Sequence, residues 1–155
     1  MSRCPECGNL VPPNTTCRDR FYEMLTIEAE VPGGPTGLAH FFAVASYNLQ
    51  HPSQFVSEAV TGLFQSLRDA VEGRASVAEL RRRASRAFEG SARVLRRPED
   101  PPSVPAGWPN EWPMTVADMC GVAPTRYNAQ AEAWARSVVA TISASGAGGG
   151  AEAKA

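Results

Sequence analysis

Lysine, histidine and long apolar segments are scarce in this chain of 155 residues, and each scarcity narrows its function. Lys154 is the only lysine, so the positive charge is almost entirely arginine, and the net charge is −1. That balance gives no overall attraction to nucleic acid or to an anionic membrane. Only two histidines are present, which limits the sites that need imidazole.

No apolar run approaches the length of a transmembrane helix. Met1-Ser2-Arg3 leads directly to a cysteine, without the apolar core of a signal peptide. We therefore expect a cytoplasmic protein with no membrane partner. The length suits one domain, which we place at residues 1–142, followed by a disordered Gly/Ala-rich tail at residues 143–155.

Cysteine is present at four positions, and two of them have the spacing of a metal-binding turn. Cys4 and Cys7 are three residues apart, so both thiolates reach one tetrahedral ion if the backbone turns tightly between them. Pro5 favours that turn, and Gly8 permits a positive φ just after it. Because cytosolic cysteines favour metal over disulfides, the pattern predicts a zinc knuckle. Zinc needs further ligands, and the candidates are Cys17, His40, His51 and Cys120.

Helix geometry selects among these candidates. Apolar spacing predicts one helix from Cys17 to Glu30 and a second from Thr36 to His51, separated by a Pro/Gly-rich break. A short connection makes the two helices antiparallel neighbours, which brings Cys17 beside His51. His40 lies eleven residues before His51, about 16 Å away along the axis, so both cannot bind one ion. We predict a Zn²⁺ site formed by Cys4, Cys7, Cys17 and His51, and we interpret Cys120 as a small buried apolar residue.

Simpler interpretations of the same residues stay open. Cys17 is also compatible with an inert buried thiol, and His51 with a helix-end residue favoured by the helix dipole. The cysteine pair Cys4 and Cys7 is alternatively a redox pair. Redox pairs of this spacing usually open a helix after a strand, and no strand is predicted before Cys4.

The rest of the chain predicts an all-α fold, a bundle of about five helices. A third helix follows Pro52 and ends at Gly73, and a fourth begins at the capping box of Ser76 and Glu79. A short helix is predicted at Val116–Cys120, and the last helix runs from Pro124 to about Ile142. Residues 98–113 form a Pro-rich connector, whose Trp108 and Trp112 we expect to dock against the bundle.

Arginines are concentrated between Arg74 and Arg97, within the predicted fourth helix and on both sides of it. Eight of the basic residues fall there: Arg74, Arg81, Arg82, Arg83, Arg86, Arg93, Arg96 and Arg97. We interpret this stretch as a solvated face balanced by nearby acidic residues, because no aromatic residues interleave the arginines as in single-strand binders. The alternative is an anion-binding or nucleic-acid-binding surface.

Several short motifs, in this order, resemble a family of small bacterial proteins known only as a domain of unknown function. The matching segments are Cys4-Pro5-Glu6-Cys7-Gly8, Cys17, Ala45-Ser46-Tyr47-Asn48-Leu49-Gln50-His51-Pro52, Trp112-Pro113-Met114-Thr115-Val116-Ala117-Asp118 and Ala133-Trp134-Ala135-Arg136-Ser137-Val138. The resemblance covers about residues 4–142. It implies the same ligand set and a helical fold, and it implies no substrate or reaction.

Two classes of function follow from the residues. The first is a zinc-binding helical protein that acts as a small-molecule enzyme or binder, with an inter-helix pocket and His40, Tyr47 and Gln50 as candidate catalytic residues. A closed site with three cysteines favours a structural metal over a catalytic one.

The second class is a DNA-binding or regulatory module that uses a helix-turn-helix-like segment at residues 115–142. The slightly acidic composition makes nucleic acid an unfavoured partner. A third interpretation is a protein partner bound by the arginine-rich stretch or by the Pro/Trp connector. The oligomeric state is open.

Overall fold

The described part of the protein contains five α-helices and one short β-hairpin. The predicted all-α class is therefore confirmed. The computed structural model describes residues 1–88 and 93–148, with only the backbone of Ala87 and Phe88. The hairpin strands are β1 (Ser2–Arg3) and β2 (Leu10–Val11). The helices are α1 (Cys17–Ala29), α2 (Gly37–Gln50), α3 (Ser57–Val71), α4 (Val77–Phe88) and α5 (Tyr127–Ser145). Within the described ranges, no helix has both the length and the apolar character needed to cross a bilayer.

The hairpin is antiparallel, with Ser2 opposite Val11 and Arg3 opposite Leu10. Strands of two residues are not stable alone. Val11 is buried among the core residues of the helices, so the hairpin depends on the bundle for its position. The sequence pattern did not indicate these strands, because two residues are too few for an alternating pattern.

The pair α1 and α2 is antiparallel, as predicted. Thr16 caps α1 and Thr36 caps α2, each through its side-chain oxygen. At one end of the pair Cys17 lies close to His51, and at the other end Glu28 contacts His40. The pair therefore holds two clusters of polar side chains, one at each end.

The core lies mainly between α2 and α5, which make the most extensive contact in the fold. Tyr127 and Trp134 of α5 are fully buried, and so are Ala43 and Leu49 of α2. Small residues on α2 let the large rings of α5 approach closely. Helix α3 completes this layer with Phe64.

The connector at residues 98–113 contains no helix or strand, and it docks on the bundle as predicted. The indole N–H of Trp108 donates to the carbonyl of Leu49 at 3.1 Å. The indole N–H of Trp112 donates to the carbonyl of Glu6 at 3.4 Å. Both rings pack against the core while remaining partly exposed. The connector thus links the hairpin to the end of α2.

Several predicted boundaries differ in the structure. The third helix, predicted to follow Pro52, begins at Ser57 after a 3-10 turn at Pro52–Gln54. The helix expected at Val116–Cys120 is a single 3-10 turn at Val116–Asp118, because the capping box of Thr115 and Asp118 closes over only three residues. The last helix begins with a 3-10 turn at Pro124–Arg126 and continues to Ser145, three residues beyond Ile142. Residues 143–145, predicted to belong to the tail, are therefore helical, and residues 149–155 of the predicted tail lie outside the described residues.

Candidate metal centre

The turn between β1 and β2 carries Cys4 and Cys7. The N–H of Gly8 donates to the carbonyl of Cys4 at 2.9 Å, and the N–H of Cys4 donates to the carbonyl of Asn9 at 2.8 Å. Gly8 has a φ of +77°, and a Cβ added there would lie 2.8 Å from the carbonyl oxygen of Asn110. Glycine is therefore required for both conformation and space. The N–H of Asn9 lies 3.4 Å from Sγ of Cys7, a contact that supports a thiolate.

Cys17 is the first residue of α1. The N–H of Asp19 donates to Oγ1 of Thr16 at 3.2 Å, and the N–H of Thr16 donates to Oδ2 of Asp19 at 2.8 Å. This reciprocal cap fixes the direction in which α1 begins. It directs the buried Cys17 so that its Sγ lies 3.7 Å from Sγ of Cys7. A helix start also favours the thiolate over the thiol.

His51 follows the last residue of α2 and ends that helix. Its Nδ1 lies 2.8 Å from the carbonyl oxygen of Tyr47, and its ring stacks on the Tyr47 ring with centroids 4.2 Å apart. Because a carbonyl only accepts, Nδ1 carries the hydrogen and Nε2 keeps a lone pair. Nε2 is buried and has no hydrogen-bond partner among the described residues.

These four side chains converge on one point. One ligand atom from each of Cys4, Cys7, Cys17 and His51 lies within 4.8 Å of the others, close enough to hold a metal ion. In a tetrahedral zinc site with Zn–S bonds near 2.3 Å, neighbouring sulfurs are about 3.8 Å apart. The separation of 3.7 Å between the sulfurs of Cys7 and Cys17 fits that geometry.

The thiols and the imidazole of the centre differ in protonation. Burial raises the pKa of Cys7 to about 11, and burial together with the neighbouring thiols raises the pKa of Cys17 further. Burial lowers the pKa of His51 below its usual value, which keeps the imidazole neutral. Neutral imidazole is the form that binds metals. The thiols, in contrast, would have to lose their protons when a metal ion binds.

Residues around the centre hold its parts in place, and sequence patterns did not single them out for this role. Oε1 of Glu6, within the cysteine turn, accepts the N–H of Ser53 at 3.0 Å. The carbonyl of Glu6 accepts the indole of Trp112. Tyr47, predicted as a catalytic candidate, contacts His51 through its carbonyl and ring. The Gln-His-Pro motif at the end of the second helix was the only sequence signal for a role of the residues before it, such as Tyr47, in the metal centre.

The other catalytic candidates lie away from one another. His40 is at the opposite end of α2 from His51, as its exclusion from the metal site required. Its Nδ1 lies 2.5 Å from Oε1 of the buried Glu28, while its own side chain is 55% exposed. Nε2 of the buried Gln50 donates to the carbonyl of Met114 at 2.7 Å. The groove that His40 and Tyr47 were predicted to line, with Gln50 close to the metal, stays a prediction.

Two of the ligand-sized hollows in the described part of the chain lie beside the metal centre and between the helices. The metal-side cleft, of about 510 Å³, is bounded by Arg3, Cys7, Asn9 and Trp112. The inter-helix groove, of about 610 Å³, lies between α2, α3 and α4, with Phe41, Leu49, Leu63 and Leu80 among its lining residues. His40, Tyr47 and Gln50 line neither hollow.

Cys120 lies outside the metal centre. Its Sγ donates to the carbonyl of Arg20 at 3.4 Å, and the residue is half-buried. It was predicted to be a small buried apolar residue, but it is only partly buried, because its thiol contacts the backbone of α1. Its separation from the other three thiols makes it a useful control.

Several arginines of the arginine-rich stretch form ion pairs with nearby acidic side chains. Arg82 and Arg83 contact Glu79, and Arg83 also contacts Asp69. Arg93 contacts Asp100 through two nitrogens, at 2.6 and 2.8 Å. These contacts support the interpretation as a locally balanced, solvated face.

The segment at residues 115–142 lacks the shape of a helix-turn-helix. The element before its turn is the three-residue 3-10 turn Val116–Asp118, too short to act as a supporting helix. Two polar residues of the expected reading helix are engaged within the protein. Oδ1 of Asn128 accepts the N–H of Thr36, and Nε2 of Gln130 donates to the carbonyl of Asp118.

Comparison with known proteins gives a family and no function. Neither the curated proteins nor the solved structures include a significant match to the chain. The model of a family of unknown function, DUF5946, matches residues 2–143, which contain every residue of the metal centre and all five helices but the last two residues of α5. The chain belongs to the DUF5946 family of unknown function.

Proposed function

We propose that the protein binds one zinc ion through Sγ of Cys4, Cys7 and Cys17 and through Nε2 of His51. The observation that carries the proposal is the buried, unpartnered Nε2 of His51 in a cluster with three thiols. A buried imidazole nitrogen without a partner is costly, and a metal bond satisfies it. The hydrogen bond from Nδ1 to Tyr47 is the outer contact that metal-binding histidines usually make.

Zinc fits this donor set best. Three thiolates and one imidazole form a common structural zinc site, with ligands at four tetrahedral positions. Hard cations such as Mg²⁺ and Ca²⁺ prefer oxygen ligands, which the centre does not supply. Four protein ligands leave no position for water or substrate, so the metal's role is structural rather than catalytic.

In this role the metal joins three separate parts of the chain. Cys4 and Cys7 belong to the hairpin turn, Cys17 starts α1, and His51 ends α2. The hairpin has only four paired residues, so it has little stability of its own. The bound ion therefore fixes the hairpin on the open end of the antiparallel pair formed by α1 and α2.

Elemental analysis tests this proposal. Protein purified without added metal should contain one zinc per chain, and a thiol reagent should modify Cys120 alone until a chelator is added. Cys4→Ser should lose most of the zinc, whereas the matched Cys120→Ser should keep it. Metal-free protein with four freely reacting thiols would contradict the proposal, and another metal at full occupancy would correct its identity.

A second candidate function is small-molecule binding in the inter-helix groove. The groove has the volume typical of ligand sites, and its lining is mainly apolar, with Phe41, Leu49 and Leu63 on its walls. Arg83 and Asp69 form an ion pair at its edge. An apolar body with one polar group is the class of ligand that such a lining suits.

Binding of anilinonaphthalene sulfonate, an apolar fluorescent anion, tests the groove. Ala59 lines the groove, and Ala59→Trp should reduce its volume and the fluorescence enhancement. Thr61, exposed on the same helix and outside the lining, provides the matched control Thr61→Trp. Equal fluorescence in the two variants would show that the dye binds elsewhere. Catalytic roles for His40, Tyr47 and Gln50 stay predictions.

A further inference from the structure

Cys7 lies where the metal centre meets the metal-side cleft. It is one of the residues that bound the cleft, and it is also the thiol nearest to Cys17. Both residues are buried, Cys7 at 2% and Cys17 at 7% exposure, and Cys17 does not line the cleft. The two thiols therefore differ in their position relative to the cleft, although their sulfurs are only 3.7 Å apart.

We propose that Cys7 and Cys17 are a reactive pair whose substrate is a hydroperoxide, and that their oxidation to a disulfide releases the metal. The proposal rests on the zinc site proposed above. It assigns the cleft a role as the entry path of the oxidant. The cleft's volume of about 510 Å³ is ample for hydrogen peroxide and for small organic hydroperoxides.

The reaction has two steps. Sγ of Cys7, as a thiolate, attacks one peroxide oxygen, so that an S–O bond forms, the O–O bond breaks and hydroxide or alkoxide leaves. Sγ of Cys17 then attacks the resulting sulfenic acid, forming the S–S bond and expelling hydroxide. The two thiolates give up two electrons to the peroxide, and two protons from solvent convert the leaving groups to water or alcohol. Cys4 and His51 remain as ligands, too few to retain zinc.

The cleft supplies groups that suit the first step. Asn9 borders the cleft, and its buried Nδ2 has no hydrogen-bond partner in the described ranges, so a peroxide that enters beside Cys7 would supply the acceptor that this donor lacks. Arg3 also borders the cleft, and its Nη1 donates to the carbonyl of Gly8 at 2.7 Å. A guanidinium held there stabilises the negative charge that develops on the departing oxygen.

The order of attack follows from the position of the cleft and from distance. Cys7 is attacked first because it reaches the cleft, and Cys17 resolves the sulfenic acid because its sulfur is the neighbour at 3.7 Å. The expected product is therefore a bond between Cys7 and Cys17.

The experiment treats the zinc-loaded chain of 155 residues with hydrogen peroxide in the presence of a chromogenic chelator. One zinc should be released per chain, and peptide mapping by mass spectrometry should find Cys7 linked to Cys17. Asn9→Ala should slow zinc release between about twofold and tenfold, the loss expected for one hydrogen-bond donor. Cys120→Ser should release zinc at the rate of the unmodified protein.

Each other outcome contradicts a specific part of the proposal. Retention of zinc and thiols at peroxide concentrations that oxidise free cysteine would overturn it. A disulfide that includes Cys4 would overturn the assignment of the pair, and an unchanged rate in Asn9→Ala would overturn the role of the cleft. Absence of metal before treatment would contradict the zinc proposal instead, and the disulfide mapping would still decide whether Cys7 and Cys17 pair.

Discussion

The imidazole of His51 is held by the residue one helical turn before it: Nδ1 lies 2.8 Å from the carbonyl oxygen of Tyr47, and the two rings are stacked. The last turn of α2 thereby sets the tautomer and the direction of the histidine that ends it. His40, earlier on the same helix, is instead bound to Glu28 and is largely exposed. The chain's two histidines thus have separate roles, which substitution can distinguish.

We expect His51→Ala to lower zinc affinity by at least about 100-fold, the upper end of the losses seen when a contact around a metal site is removed. His40→Ala should leave zinc affinity unchanged, because His40 lies at the other end of α2. Competition with a chromogenic chelator measures both affinities. The site assignment would be wrong if His40→Ala lost zinc and His51→Ala kept it.

Removal of zinc should lower thermal stability while preserving the helices. An ion present at about 1,000 times its dissociation constant stabilises the folded state by about 4 kcal/mol. In a domain of this size that corresponds to a melting temperature lower by roughly 10 °C. The core between α2 and α5 does not include the metal ligands. The helical circular dichroism at about 25 °C should therefore change little.

Calorimetry before and after chelation tests this expectation, with Cys4→Ser as a second way to remove the metal. Chelator should have little effect on Cys4→Ser. If chelation abolished the helical signal, the metal would be necessary for the whole fold rather than for the hairpin end of α1 and α2.

Local patterns predicted much of the fold, and the reason is that its helices have clear boundaries. Thr16 and Thr36 are caps, and the Pro/Gly-rich segment between the first two helices prevents continuation. A short connection between two helices has few geometries, so the approach of His51 to Cys17 followed from helix length alone. The four-residue ligand cluster was predicted for this reason.

Contacts between distant segments were not predictable in the same way. Tyr127 donates to Glu28 across 99 residues of sequence, and no local pattern relates the two. The position of the inter-helix groove depends on the packing of α3 and α4, which helical periodicity does not specify. Tyr47 was a catalytic candidate because it shares one face of the second helix with His40 and His51, and helical spacing does not show that its backbone carbonyl and ring contact His51.

Substitution of Gly8 should destabilise the hairpin end of the molecule. Gly8→Ala places a side chain at a φ of +77° and brings Cβ to 2.8 Å from the carbonyl of Asn110. We expect a loss of about 1–3 kcal/mol in the free energy of unfolding, and weaker zinc binding. Gly62→Ala, within α3 and with nothing near its added Cβ, should instead stabilise the protein by up to about 1 kcal/mol.

Urea denaturation of both glycine variants measures these differences. Equal stability of the two variants would contradict the close approach of the hairpin turn to Asn110. A loss of stability in Gly8→Ala with zinc binding intact would show that the turn strains the fold without moving the ligands.

The hydrogen bond from Tyr127 to the buried carboxylate of Glu28 should stabilise the protein less at high pH. The carboxylate accepts hydrogen bonds from the hydroxyl of Tyr127 and from His40, and these contacts join α1, α2 and α5. Burial and the contact with Glu28 raise the pKa of Tyr127 above its usual value of 10. The folded state therefore holds this proton more tightly than the unfolded state, so the stabilisation is complete below pH 10 and declines as pH rises above it.

Tyr127→Phe should lose about 1–3 kcal/mol at neutral pH, because one oxygen of the buried carboxylate loses its donor. The variant should also show a smaller decline of stability above pH 10, the usual pKa of tyrosine, since it has no phenol at this position to titrate. Tyr22→Phe is the matched control, because Tyr22 is exposed on α1. Denaturant unfolding at neutral and alkaline pH measures the difference. Parallel pH profiles for the protein and Tyr127→Phe would mean that Tyr127 does not stabilise Glu28 through its proton.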